Sequence, residues 1–459
     1  MSDRRRDAWA VFGVALLVRG MVVGWARGRF PPTGDGHYYD ILAHRLASGA
    51  GYTWQWPDGA VTYAAHYPIG FPALLAAGYA LLGPSDTVAM SLAALLGAAS
   101  AYATHRLVDE PEAPRWRPMA AGLAVALHPA LVPYTAARMT EGITAALLVI
   151  ATALASRARS RNGNLASFTA AVVIAAATLV RPQSLVLAPI LGALSVRGDA
   201  SLSRRAVRAA AVTVLALMCI APWTARNCVR MRRCALVSLN GGWNLLIGAT
   251  TSTGGWQPVS VPPACAVVWD EAAKDACFER AAVERIVQNP AAWLARAPAK
   301  VAMTLDYFGA APWYLNESND RVFGERAKMI LAAFETVVAR LLLLGALVAC
   351  GRLRGPRAPA RRVAAFIGAC AAVTLHAWIG YLAIAFCVSL LGWRAISRVP
   401  VAVPASAAVI VATVAVHAVF FGSGRYGLVV APFVAALAFV GSSPQPTGSA
   451  CAEPALGAS

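Results

Sequence analysis

Residues 34–40 read Gly-Asp-Gly-His-Tyr-Tyr-Asp, which puts a carboxylate, Asp35, between two glycines directly after the first apolar run. A carboxylate there can take a proton from an attacking hydroxyl, or orient it. Glycines on either side let a backbone approach a ligand. The alternative is a helix cap, since Asp is favoured at the positive end of a helix. Tyr38 and Tyr39 of the same motif are candidate substrate contacts, and Asp40 is expected to face solvent. Residues 66–72 read HYPIGFP, where His66 could hydrogen-bond a substrate or simply sit half-solvated. The second constellation is cationic. Arg138 and Glu141 flank a short joint, Arg181-Pro182 separates two apolar runs, Arg226-Asn227 follows one, and Arg425-Tyr426 precedes another. Converging guanidiniums bind phosphate with two parallel hydrogen bonds. Taken singly, each arginine could equally snorkel or pair with Glu141.

These residues need elements to hold them, and the composition says which. The chain has 459 residues, 58% hydrophobic and 14% charged, with a mean hydropathy of +0.57. A soluble domain carries about 25% charged residues, so this chain calls for a bilayer. The fold class expected is an all-α polytopic membrane protein of about 11–13 transmembrane helices, because helices satisfy their own backbone in lipid at roughly 20 residues per crossing. The first span covers residues 8–26, read as retained in the membrane and not as a cleaved signal peptide. Apolar runs follow at 67–83, 87–107, 117–135, 141–156, 165–180, 183–196, 206–223, 328–350, 361–379, 380–393, 400–421 and 427–441.

The domains are therefore an N-terminal membrane module, 1–223, with a first outer loop at 27–65; a polar segment, 224–326; a C-terminal membrane module, 327–441; and a disordered tail, 442–459. In the first loop, Tyr38, Ile41, Leu42 and Leu46 recur at helical spacing, predicting a short interfacial helix. Trp54, Trp56, the Pro57-Asp58-Gly59 turn and Val61–Tyr63 predict a hairpin. In the polar segment, 237–256 reads as loop or short strand and 270–288 as a helix, so a mixed domain is expected. Nine of the chain's 22 acidic residues lie between Asp270 and Glu325.

The net charge of +18 does not point to nucleic acid, because the arginines sit in short loops between spans. Arg4–Arg6, Arg157–Arg161, Arg197–Arg208 and Arg352–Arg362 mark the cytoplasmic side. That orientation puts the N-terminus in the cytoplasm and the first loop, Arg181, the 224–326 segment and Arg425 outside. Parity at the 105–117 loop, which carries both signs of charge, is awkward. Four cysteines, Cys228, Cys234, Cys265 and Cys277, fall in the outward segment. Their even number permits disulfides, Cys265–Cys277 being one pairing and unpaired thiols the alternative. No cysteine or histidine spacing suits a metal. A secondary transporter, or a flippase of lipid-linked or small polar substrates, is the competing reading. A transporter calls for mid-span charges and inverted repeats; no strong repeat is present.

Seven segments together resemble the GT-C superfamily of membrane glycosyltransferases, in particular the protein O-mannosyltransferase and aminoarabinose-transferase-like group, glycosyltransferase family thirty-nine. They are GDGHYYDILAHRLASGAGY at 34–52, HYPIGFPALLAAGYALLG at 66–83, HPALVPYTAARMTEG at 128–142, LVRPQSLVLAP at 179–189, APWTARN at 221–227, NGGWNLLIGA at 240–249 and SGRYGLVVAPF at 423–433. The resemblance implies a GT-C-like fold and an inverting transfer of sugar from a polyprenyl-phosphate donor, outside the cytoplasm, to a glycan, lipid or protein acceptor. It implies the catalytic role for Asp35. Relatives often carry a second acid at the next position, where this chain has Gly36, and a lysine or glutamate motif before the second span, where it has His66. No cofactor is expected, and a divalent metal stays open.

Overall fold

The computed structural model describes residues 3–441, except 112, 162, 307 and 308; the predicted tail at 442–459 lies outside the described residues. The chain is mostly helical. In order, α1 (Asp3–Ala26) leads to α2 (Asp35–Ala47) and a hairpin, β1 (Thr53–Gln55) and β2 (Val61–Tyr63). Then come α3 (Gly70–Leu82), α4 (Asp86–Val108), α5 (Trp116–Ala126), α6 (Glu141–Arg161), α7 (Asn164–Val180), α8 (Leu187–Leu194) and α9 (Leu202–Arg230). The polar segment holds α10 (Gly241–Thr250), α11 (Pro263–Ala266), α12 (Glu271–Gln288), α13 (Pro290–Ala295), α14 (Ala297–Leu305) and α15 (Ala310–Ser318). The chain closes with α16 (Glu325–Arg352), α17 (Ala358–Ala372), α18 (Ala377–Ser389), α19 (Gly392–Ile396), α20 (Ala402–Val419) and α21 (Ala431–Phe439).

Among the described residues, six helices, α1, α4, α6, α9, α16 and α20, are long and apolar enough to cross a membrane, and five apolar stretches are shorter. This fits an all-α, multi-pass membrane protein. Val207, Val214 and Met218 on α9, and Met329, Ile330 and Leu341 on α16, stay exposed, an outer surface suited to lipid and not to water. Inside α1, Arg19 is buried and donates to the carbonyls of Val125 and Ala126 at 3.1 and 3.0 Å. The negative end of α5 thus meets a charge that would otherwise be costly at this depth.

The run at 67–83 was expected to be a span and is not one. Helix α3 has 13 residues, reaching about 20 Å against the roughly 30 Å of hydrocarbon. Both of its ends stay with the first loop. Tyr79, in its last turn, donates to Asp40 at 2.6 Å, while Gly70 packs against the backbone of Leu179 and Val180. Because α3 turns back, α4 runs the other way from the reading that counted it as a crossing. The 105–117 loop then joins the N-terminus, with Arg4 on Asp109 at 2.7 Å and Arg115 on Asp7 at 2.9 Å. Arg159 donates to the carbonyl of Val399 at 3.0 Å. The basic loops therefore gather at one end of the bundle and the first loop lies at the other.

The polar segment also departs from expectation. Among the described residues its elements are helices, and the 237–256 stretch, read as loop or short strand, is loop at both ends with α10 between. Asp275 explains it: one carboxylate oxygen accepts from the Gly242 and Trp243 amides at 2.9 and 3.2 Å, satisfying free N–H groups at the helix start. Leu246 and Ala249 then pack with Cys277, Phe278 and Ala282 of α12. The glycines allow close contact, since a Cβ on Gly248 would lie 2.1 Å from the Phe420 carbonyl. Helix α12 follows the predicted 270–288 range, with Asp270 accepting from Ala273 N at 2.8 Å. Both Cys265–Cys277 and Cys228–Cys234 are disulfides. The hairpin forms as predicted, pairing Thr53 with Tyr63 and Gln55 with Val61.

Candidate active site

Asp35 is the first residue of α2, and Gly34 before it holds the cap position with φ +53°. The Asp35 side chain caps nothing, so the capping alternative fails. Its carboxylate instead faces two partners. One oxygen, Oδ2, accepts from Arg425 Nη2 at 2.7 Å, and Oδ1 accepts from the Tyr67 hydroxyl at 3.3 Å. Gly36 is needed for a different reason from the one expected. A Cβ there would lie 2.9 Å from the Arg138 carbonyl and 3.1 Å from the Tyr314 hydroxyl, so the close approach is to the protein's own backbone. Gly36→Ala is expected to destabilise the fold by about 1–3 kcal/mol, as other overpacked sites do, read as a lower thermal midpoint in detergent. An unchanged midpoint would show that α2 can shift freely.

Arg425 reaches the site from the turn between α20 and α21, and Arg181 from the break between α7 and α8. Arg181 is extended, with φ −143° and ψ 110°, the conformation that a following proline favours. Glu141, fully buried at the start of α6, joins them. Its Oε1 accepts from Arg181 Nη2 at 2.5 Å and faces Arg425 Nε at 3.4 Å, while Oε2 accepts from the Tyr134 hydroxyl at 2.8 Å. Arg181 Nε donates to Thr140 Oγ1 at 3.0 Å. Tyr426 lies under both cations, its ring centroid 4.9 Å from the Arg181 guanidinium carbon and 5.0 Å from that of Arg425, and its far face stacks on His417.

The result is an alternating chain, Asp35–Arg425–Glu141–Arg181, with two charges of each sign. Arg181 and Arg425 converge as the phosphate reading requires, and they also make the Glu141 pairing that was its alternative. Even so, among the described residues no oxygen accepts from the Nη1 group of either arginine; Arg425 Nη1 meets only Met139 Sδ, at 4.0 Å. Asp35 keeps a third of its side-chain surface. Burial pushes its carboxyl up, but the charge and hydrogen bond of Arg425, with Arg181 and His66 adding, hold it below the ordinary aspartate value.

The other expected residues divide. His66 packs edge-on to Tyr67, with centroids 4.9 Å apart, and burial pulls its imidazole below the usual histidine value. Tyr39 turns inward against Tyr67 and Phe71, while Tyr38 keeps an exposed ring beside Tyr67. Arg138 is drawn away: it is 5% exposed and pairs with Asp40 at 2.8 Å and with Asp86. Asp40 is therefore not the solvent-facing residue expected. Arg226 is also elsewhere, donating to the carbonyls of Ala64 and Tyr52 at 2.8 and 2.9 Å. Asn227, buried, donates to those of Ala235 and Val237 at 3.0 and 3.2 Å. This pair ties the first loop and the 235–237 strand of chain to α9. Arg226→Ala is expected to cost about 1–3 kcal/mol by leaving two carbonyls unpaired and to speed proteolysis within 53–63. Resistance equal to wild type would contradict the clamp.

Tyr67 and Tyr134 were quoted within motifs but not singled out. Their signal was proximity: Tyr67 follows His66, and Tyr134 lies seven residues before Glu141. A cavity of about 450 Å³ lies along the 233–245 segment, walled in part by Pro182, Arg233, Leu245, Asp275 and Phe420, and none of Asp35, Glu141, Arg181 and Arg425 lines it. Among the described residues no group of three His, Cys, Asp or Glu gathers as a metal ion would require. Compared with known proteins, the chain matches no family model and no curated protein.

Proposed function

We propose that the chain is an inverting glycosyltransferase of GT-C type, taking a sugar from a polyprenyl-phosphate donor at the outer face of the membrane. The observation that carries this is an accessible carboxylate, Asp35, held between Tyr67 and Arg425, with Arg181 tied to Arg425 through Glu141 and both arginines retaining unused donors. The donor phosphate would bind the free Nη1 groups of Arg181 and Arg425, which Glu141 holds side by side. An acceptor hydroxyl attacks the anomeric carbon, and the bond from that carbon to the phosphate oxygen breaks. Its electron pair stays on the phosphate, whose growing charge the two guanidiniums stabilise. The hydroxyl proton passes to Asp35. A weak base suffices, because an alcohol attacking an oxocarbenium-like centre becomes acidic as the new bond forms.

The outward placement has two supports. The basic loops gather at the opposite end, as cytoplasmic loops do, and the two disulfides belong to the segment on the Asp35 side, in keeping with an oxidising compartment. Sugar release from a polyprenyl-phosphate-linked arabinose or mannose by purified protein in nanodiscs tests the reading; no release from either donor, with folding intact, counts against it. A secondary transporter is the second reading. Glu335, fully buried within α16, favours it, and ion-coupled uptake into proteoliposomes that vanishes in Glu335→Gln would support it.

A further inference from the structure

The ring of Tyr38 is 45% exposed, yet it is held more firmly than an exposed side chain needs to be. Tyr67 stacks beneath it, with centroids 5.4 Å apart and planes 17° from parallel. Trp54 meets it edge-on at 6.0 Å and 89°. Trp54 in turn donates to Glu271 Oε1 at 3.3 Å, and the other oxygen of Glu271 accepts from Ala65 N at 2.6 Å. The hairpin, α2 and α12 thus fix the plane of a ring that His37 also meets at 5.6 Å and that still keeps nearly half of its surface. That ring lies one helical turn from Asp35, on the side of its Oδ1 and Tyr67. The arginines lie on the side of Oδ2.

We infer that Tyr38 is a stacking platform for a sugar ring of the acceptor, so the acceptor is a saccharide and not a peptide hydroxyl or a lipid alcohol. The inference rests on the transferase reading above. Inversion requires the nucleophile and the leaving phosphate on opposite sides of the anomeric carbon, and the arginines occupy the phosphate side. The platform is therefore on the nucleophile's side. The C–H face of a pyranose or furanose carries partial positive charge and is apolar, matching the negative face of an aromatic ring. A preset ring also costs little entropy on binding. A serine side chain or an acyl alcohol offers no such face.

The test uses the full chain in nanodiscs and saturation-transfer NMR with methyl glycosides and disaccharides of glucose, galactose, mannose and arabinose. At least one sugar should receive saturation on its ring C–H protons. That signal should fall about five- to tenfold in Tyr38→Ala, the loss of one aromatic contact, and return in Tyr38→Phe. The saturating sugar then serves as acceptor in the transfer assay, where Tyr38→Ala should raise its KM about five- to tenfold more than that of the donor. A larger rise for the donor would place the donor's own sugar on the ring and overturn the inference. No saturation of any sugar, or equal signal in Tyr38→Ala, would overturn it as well. Sugar binding without turnover of any donor would defeat the transferase reading and the acceptor assignment together, while leaving the ring as a sugar site.

Discussion

Asp35→Asn is expected to cut sugar transfer by about 10²–10⁴-fold, the usual worth of a positioned proton acceptor, while the thermal midpoint changes little. Asparagine keeps the shape, its one oxygen can accept from Arg425 while its NH2 faces the Tyr67 hydroxyl, but it cannot take the acceptor's proton. Because Arg425 holds the Asp35 carboxyl below its ordinary value, the group stays ionised throughout the range used for assays. The acid limb of kcat/KM, which reports the free enzyme, should therefore lie below the ordinary aspartate range. A limb near neutrality would mean that another group is the base. Turnover in Asp35→Asn equal to wild type would remove this carboxylate from the chemistry.

Glu141→Ala should have the largest effect on the fold. Glu141 is fully buried and is met by Arg181, Arg425 and Tyr134. Removing it leaves Arg181 without a counter-charge, Arg425 with Asp35 alone, and a tyrosine hydroxyl without an acceptor. Losing one member of a buried ion pair costs about 3–5 kcal/mol; since both arginines keep some exposure, about 3 kcal/mol is expected. Turnover should fall too, because the two guanidiniums would no longer be held together. Thermal unfolding of Glu141→Ala and Glu141→Gln side by side checks this. Glutamine retains an acceptor, so its loss should be smaller. Equal stability of Glu141→Ala and wild type would show that the cluster is not coupled.

Much of this site was legible because its residues break local rules. Arginines at the loop ends opposite the basic loops, a buried-type acid at a helix start, and glycines around Asp35 all stood out from an apolar background. What spacing could not decide was which arginines converge. Arg138 and Arg226 share the types and placement of Arg181 and Arg425, but Asp40, Asp86 and two backbone carbonyls claim them, and those partners come from distant segments. The α3 crossing was misread because hydropathy registers apolar length and not the turn that returns a 13-residue helix to its starting side. Helix α10 was hidden by its glycines, which disfavour helices in isolation but here permit contact with Phe420 and α12.

The most direct test is binding of a short-chain isoprenyl phosphate, followed by phosphorus NMR, in wild type, Arg181→Gln, Arg425→Gln and Arg226→Gln. Folded Arg181→Gln and Arg425→Gln should each lose binding by about tenfold or more, one charge-assisted contact apiece, while Arg226→Gln binds as wild type. Uniform binding across the set, or loss confined to Arg226→Gln, would contradict a phosphate site built on Arg181 and Arg425 opposite Asp35.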